Sequence, residues 1–108
     1  MKIKKRKRKF KVGSNITIKH VANIELNTNE LITLKNKSSE YDITKKSWGY
    51  YATPSINMRL RNNGFLTAII KNKSTKNKFI VLVDKKKKIL FKNYINKENI
   101  KVIKWLKN

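Results

Sequence analysis

Cysteine is absent from this chain of 108 residues, which excludes a disulfide framework and any thiolate zinc or iron–sulfur site. Acids are scarce, with six Asp and Glu against 28 Lys and Arg, and His20 is the only imidazole. The carboxylates of Glu25, Glu30, Glu40, Asp42, Asp84 and Glu98 are scattered along the sequence, which leaves little for metal binding or acid–base work. Glycine occurs only at 13, 49 and 64, so there is no glycine-rich phosphate loop, and Gly13-Ser14 lacks the second glycine of a nucleophile elbow. His20, in a strand-like stretch, reads as a solvated or core-edge side chain. These shortages point away from an enzyme, a cofactor or a metal. Apolar runs are short too. The longest, Phe79 to Val83, is far below a membrane span, and no apolar stretch follows the basic start as a secretory signal would require. A cytoplasmic protein is expected, although lysine clusters are also attracted to anionic lipid surfaces.

What the chain has in excess is positive charge, a formal +22 at neutral pH. Polyanions are attracted to such a surface whatever its origin. The excess has two readings. Lys, Asn and Ile supply 24, 14 and 14 residues, all with adenine- and thymine-rich codons, so pressure on base composition can raise lysine without selection for a partner. The shortage of acids is harder to explain that way.

Length and composition bound one domain, with no repeat and no Pro/Gly-rich linker. Residues 1–12 read as a basic arm or an edge strand, and 13–108 as a single α+β domain. Ile16 and Ile18 alternate with Thr17 and Lys19, the period of a half-buried strand. Ile24 to Leu26 and Leu31 to Leu34 flank an Asn-rich turn and suggest a hairpin. Tyr41 to Ile43 is a short strand. Phe65 to Ile70 and Lys78 to Val83 suggest neighbouring central strands buried on both faces. Asp84 can cap a helix whose Leu90, Phe91, Tyr94 and Ile95 form one apolar stripe, and Ile100 to Leu106 closes the fold as a strand. Thr53 to Gly64 is ambiguous. Ile56, Met58 and Leu60 alternate as in a strand, but Thr53 suits an N-cap, Pro54 a first helical position and Gly64 a stop. A short helix is favoured there. The expected class is therefore α+β, a mostly antiparallel sheet with two short helices.

Three groups of residues could carry binding. The run Lys4, Lys5, Arg6, Lys7, Arg8, Lys9 mixes arginine into lysine in a chain that has only four arginines. Consecutive cations repel and commonly stay disordered until a polyanion neutralises them. Lys85, Lys86, Lys87 and Lys88 open the last helix, where cations oppose the macrodipole, a cost that base composition or a partner could explain. The segment from Lys45 to Phe65 places Trp48, Tyr50 and Tyr51 near Lys45, Lys46, Arg59 and Arg61. Rings that stack bases beside cations that follow phosphates are the parts of a single-stranded nucleic-acid surface. The competing reading makes the same aromatics core residues, because a small domain short of apolar mass needs them inside. On that reading Trp48→Ala destabilises the fold.

The same segment, Trp48-Gly49-Tyr50-Tyr51-Ala52-Thr53-Pro54-Ser55 followed by Asn57-Met58-Arg59-Leu60, resembles a small uncharacterised bacterial family with a Trp-Gly-aromatic-Tyr-Ala-Thr-Pro-Ser core. The resemblance spans about residues 46–106 and implies no activity, ligand or partner.

The functional expectation is a small basic protein that contacts RNA or single-stranded nucleic acid mainly through phosphates. The alternative is a protein-interaction or accessory domain of an A+T-rich bacterium whose lysine excess is incidental. A sugar-phosphate binder at the Thr53 helix start is a third class.

Overall fold

The alternation of Ile16, Ile18, Ala22 and Ile24 builds a strand, and the partner of that strand is the start of the chain. The computed structural model describes residues 1–37, 39–54 and 64–106. In it β1 (Lys2–Val12) and β2 (Ile16–Glu25) form an antiparallel two-stranded ribbon, joined to no third strand among the described residues. A second sheet has the order β3-β4-β5, from β3 (Leu31–Lys35), β4 (Glu40–Lys46) and β5 (Gly49–Pro54). The third has the order β7-β6-β8, from β6 (Phe65–Asn72), β7 (Lys78–Asp84) and β8 (Ile100–Leu106). A 3-10 turn at Lys85–Lys87 and the helix α1 (Lys88–Lys97) connect β7 to β8.

Among the described residues the protein is mostly β, with 63% strand and 14% helix, and the expected α+β sheet with two helices is corrected there to three small sheets and one helical segment. Thr53 and Pro54 account for part of the difference. Instead of opening a helix they finish β5, in register with Asp42 and Tyr41 of β4. Proline is tolerated there because β5 is an edge strand, where a missing N–H need not break a ladder bond. The remainder of the expected helix, residues 55–63, lies outside the described residues.

Two strand assignments also change. Ile24 to Leu26 does not pair with Leu31 to Leu34. Ile24 stands opposite Ile3, while β3 pairs with β4, so the Asn-rich turn passes the chain from one sheet to another. β6 is the central strand of its sheet, but β7 is an edge, and its Ile80 is 71% exposed.

The core lies where the second and third sheets meet. Tyr41 of β4, Ala68 and Ile70 of β6, and Val83 of β7 are buried, together with Leu26 after β2. The Tyr41 hydroxyl shares a hydrogen bond of 2.8 Å with the Thr67 hydroxyl, and its ring meets Phe65 edge-on at 6.4 Å between centroids. Asp84, only 8% exposed, ties the same junction together. It accepts from the Lys86 backbone N–H at 3.0 Å, capping the 3-10 turn, and from the Asn36 amide at 3.1 Å and the Ser39 hydroxyl at 3.2 Å. The Lys86 N–H first, then Asn36, hold its carboxyl below the ordinary aspartate range. On α1, Phe91 meets Trp105 of β8 edge-on at 5.7 Å, while Leu90 and Tyr94 of the expected stripe stay largely exposed.

Candidate nucleic-acid interface

The ribbon sorts its side chains by a one-residue slip. Its apolar residues fall out of phase along β1: Ile3 is at an odd position, Phe10 and Val12 at even ones. A regular strand would put Ile3 on the face opposite the other two. The ladder shifts between Lys5 and Arg8, so that Arg6 and Lys7 together stand against Val21. This β-bulge restores the phase. Ile3 pairs with Ile24, Phe10 with Ile18 and Val12 with Ile16, and all six share one face.

The opposite face carries the charge. Lys2 and Lys4 lie on it opposite Glu25 and Asn23, and Lys9 and Lys11 lie on it opposite Lys19 and Thr17. Every one of these residues is exposed. Lys9 and Lys19 are direct cross-strand partners, an arrangement that costs folding free energy because like charges oppose. Across residues 2–25 the cations Lys2, Lys4, Lys5, Arg6, Lys7, Arg8, Lys9, Lys11 and Lys19 meet a single carboxylate, Glu25.

The basic run therefore divides. Lys4 and Lys9 belong to the cationic face and Arg6 and Lys7 to the bulge. Lys5 and Arg8 turn to the apolar face, where the Arg8 guanidinium lies 4.9 Å from the centre of the Phe10 ring. Of the two expectations for this run, a basic arm or an edge strand, the strand is the one seen, with residues 4–9 inside β1 and paired with β2. Reading the run by itself missed Lys2, Lys11 and Lys19. The period-two alternation of Lys11 and Lys19 with Phe10, Val12 and Ile18 was the signal that could have found them.

The aromatic segment is built on the β4–β5 hairpin. Trp48 occupies the turn and is 71% exposed, so the expectation of a core tryptophan is corrected. Burying an indole on a two-residue turn requires another part of the chain to pack over it. Trp48 stacks on Tyr51 at 6.5 Å with planes 24° apart, and the Lys46 ammonium lies 5.7 Å from the Tyr51 ring centre. Tyr50 points to the other face of the hairpin, with the Lys45 ammonium 5.1 Å from its ring centre. There Lys45 and Tyr50 border a cleft also lined by Lys2, Glu25 and Leu26, so this face adjoins the open end of the ribbon. The amino terminus itself pairs with Glu30 at 3.2 Å.

Lys85 to Lys88 are not part of this surface. They sit at the N-terminal end of α1, whereas the ribbon turn contacts the residue after its C-terminal end, Glu98. Arg59 and Arg61 lie outside the described residues. His20 places Nε2 3.1 Å from the Ala22 carbonyl oxygen, and its Nδ1 is buried without a partner among the described residues. No group of three metal-ligating side chains occurs among the described residues, and no helix there is long and apolar enough to cross a membrane.

No protein-family model matches the chain, and neither the curated proteins nor the solved structures contain a match.

Proposed function

We propose that the protein binds nucleic acid, mainly through its phosphates, along the cationic face of the β1–β2 ribbon. The observation that carries this reading is the cross-strand pair Lys9–Lys19, flanked by Lys2, Lys4 and Lys11. Folding gathers these charges on one exposed face at a cost, and a polyanion that neutralises them recovers it. Phosphate contact of this kind serves single strands, RNA and duplexes alike. Tyr50 with Lys45 extends the track beyond the ribbon's open end, and the exposed Trp48–Tyr51 stack offers a ring to an unpaired base on the other face of the hairpin. Lysines dominate, and an ammonium is a point charge rather than a base-reading fork, so sequence preference is expected to be weak.

A salt titration of binding to a random RNA, a single-stranded DNA, a duplex DNA and heparin tests the proposal. Six contacts give a slope of log affinity on log salt near −4 for single strands and near −5 for duplexes. A slope shallower than about −2, or no nucleic acid bound near 100 mM salt, rejects it.

A second reading, a protein-interaction domain with incidental lysine, draws on the apolar side chains that β7 and α1 leave exposed, Phe79, Ile80, Ile89 and Leu90. It expects a partner whose binding is nearly independent of salt.

A further inference from the structure

We infer that the ribbon docks in the major groove of B-form duplex DNA, with its cationic face directed at the base pairs. The inference rests on the nucleic-acid reading above and narrows it to one form of ligand. Its first support is width. β1 and β2 pair only with each other among the described residues, so the element is a two-stranded ribbon with two free edges. Strands lie about 4.8 Å apart, and a groove about 12 Å wide admits two of them but not a broader sheet. The second support is length. β1 runs for 11 residues. At about 3.4 Å per residue such a strand is comparable to one turn of duplex.

The third support is the composition of the two faces. The cationic face carries Asn23 and Thr17 among its lysines, side chains that can bond base edges in the major groove. In its middle, opposite the bulge, Val21 is 68% exposed, an apolar group suited to a thymine methyl. The other face is the apolar one, on which Ile16, His20 and Ala22 are half-buried and Ile3, Phe10, Val12, Ile18 and Ile24 are exposed, so the charge gathers on the first face. The bulge bends β1 and increases its right-handed twist, which helps the ribbon follow a curved groove. Duplex RNA is excluded by the same geometry, because its major groove is deep and too narrow for side chains to read.

The test uses the full chain with a 20-base-pair DNA duplex, each of its strands alone and the corresponding RNA duplex, all at one salt concentration. Duplex DNA is expected to bind at least about tenfold tighter than either strand and than duplex RNA. Guanine N7, which lies in the major groove, should become protected from methylation in the complex. The variant Lys9→Gln with Lys19→Gln removes the opposed charges. It should melt no lower than the parent while the duplex salt slope becomes shallower by about 1.8. Equal affinity for single strands or duplex RNA, or unprotected N7, overturns groove docking while leaving phosphate contact in place. Failure to bind any nucleic acid near 100 mM salt overturns the reading beneath it as well.

Discussion

Glu98 accepts a hydrogen bond from the backbone N–H of Ser14 at 2.7 Å, joining the turn of the first hairpin to the end of the only α-helix among the described residues. The Ser14 hydroxyl donates to the second carboxylate oxygen. A free two-stranded ribbon is marginal in water, so a tether at its turn matters to the whole element. Gly13 makes the tether possible. At φ +55° it occupies a conformation that side chains rarely adopt, and a Cβ there would collide with the Glu98 carboxylate.

Gly13→Ala and Glu98→Gln should therefore loosen the ribbon without unfolding the rest. Hydrogen exchange reads the difference: β2 amides lose protection while those of β6 keep it. Equal loss in β2 and β6 would show that the ribbon and the core unfold as one unit.

Acid should release the same tether. Hydrogen bonds from the Ser14 hydroxyl and then its N–H hold the Glu98 carboxyl below the ordinary glutamate range, and Asp84 is lowered mainly by the Lys86 N–H. A carboxyl lowered on folding adds stability that is present above its unfolded value, near 4, and is lost as pH falls through the folded value. Stability should be flat from neutrality to about pH 5 and fall below pH 4, and Glu98→Gln with Asp84→Asn should flatten that decline. An undiminished acid transition in the double variant would assign it to other groups.

Asp84→Ala removes three hydrogen bonds at a buried junction and leaves Asn36 and Ser39 without that acceptor. A loss of about 1–3 kcal/mol is expected in denaturant unfolding, with the midpoint lowered and the slope unchanged. A neutral effect would mean that water replaces the carboxylate at no cost.

Trp48→Ala should leave thermal stability nearly unchanged, because the indole is exposed. Where a single strand is bound, affinity should fall by about 1–3 kcal/mol if the indole stacks a base. A large drop in melting temperature would place Trp48 in a packed interface.

Deleting Lys7 closes the bulge. Arg6 alone then stands against Val21, and Ile3 stays opposite Ile24, in phase with Phe10 and Val12 on a regular strand, so the apolar face is kept. Proteolysis within β1 should become no faster than in the parent chain. Faster cleavage would mean that the bulge itself, rather than the phase it restores, holds the ribbon together.

Local patterns alone determined much of this protein. The alternation of Ile16 and Ile18, the compact run Phe65 to Ile70, the Asp84 cap and the strand Ile100 to Leu106 each follow from neighbours within a few residues, the range over which backbone geometry imposes its periods. Net charge and the absence of cysteine were equally legible, since neither depends on the fold. Pairing was not. Partner choice set β2 against the chain's start rather than against β3, and it made Lys19 a neighbour of Lys9. It also left β7 at an edge and carried Thr53 and Pro54 into a strand. Trp48 shows the limit most directly: its residue type argued for burial, but exposure depends on what the rest of the chain brings over a turn, and nothing local encodes that.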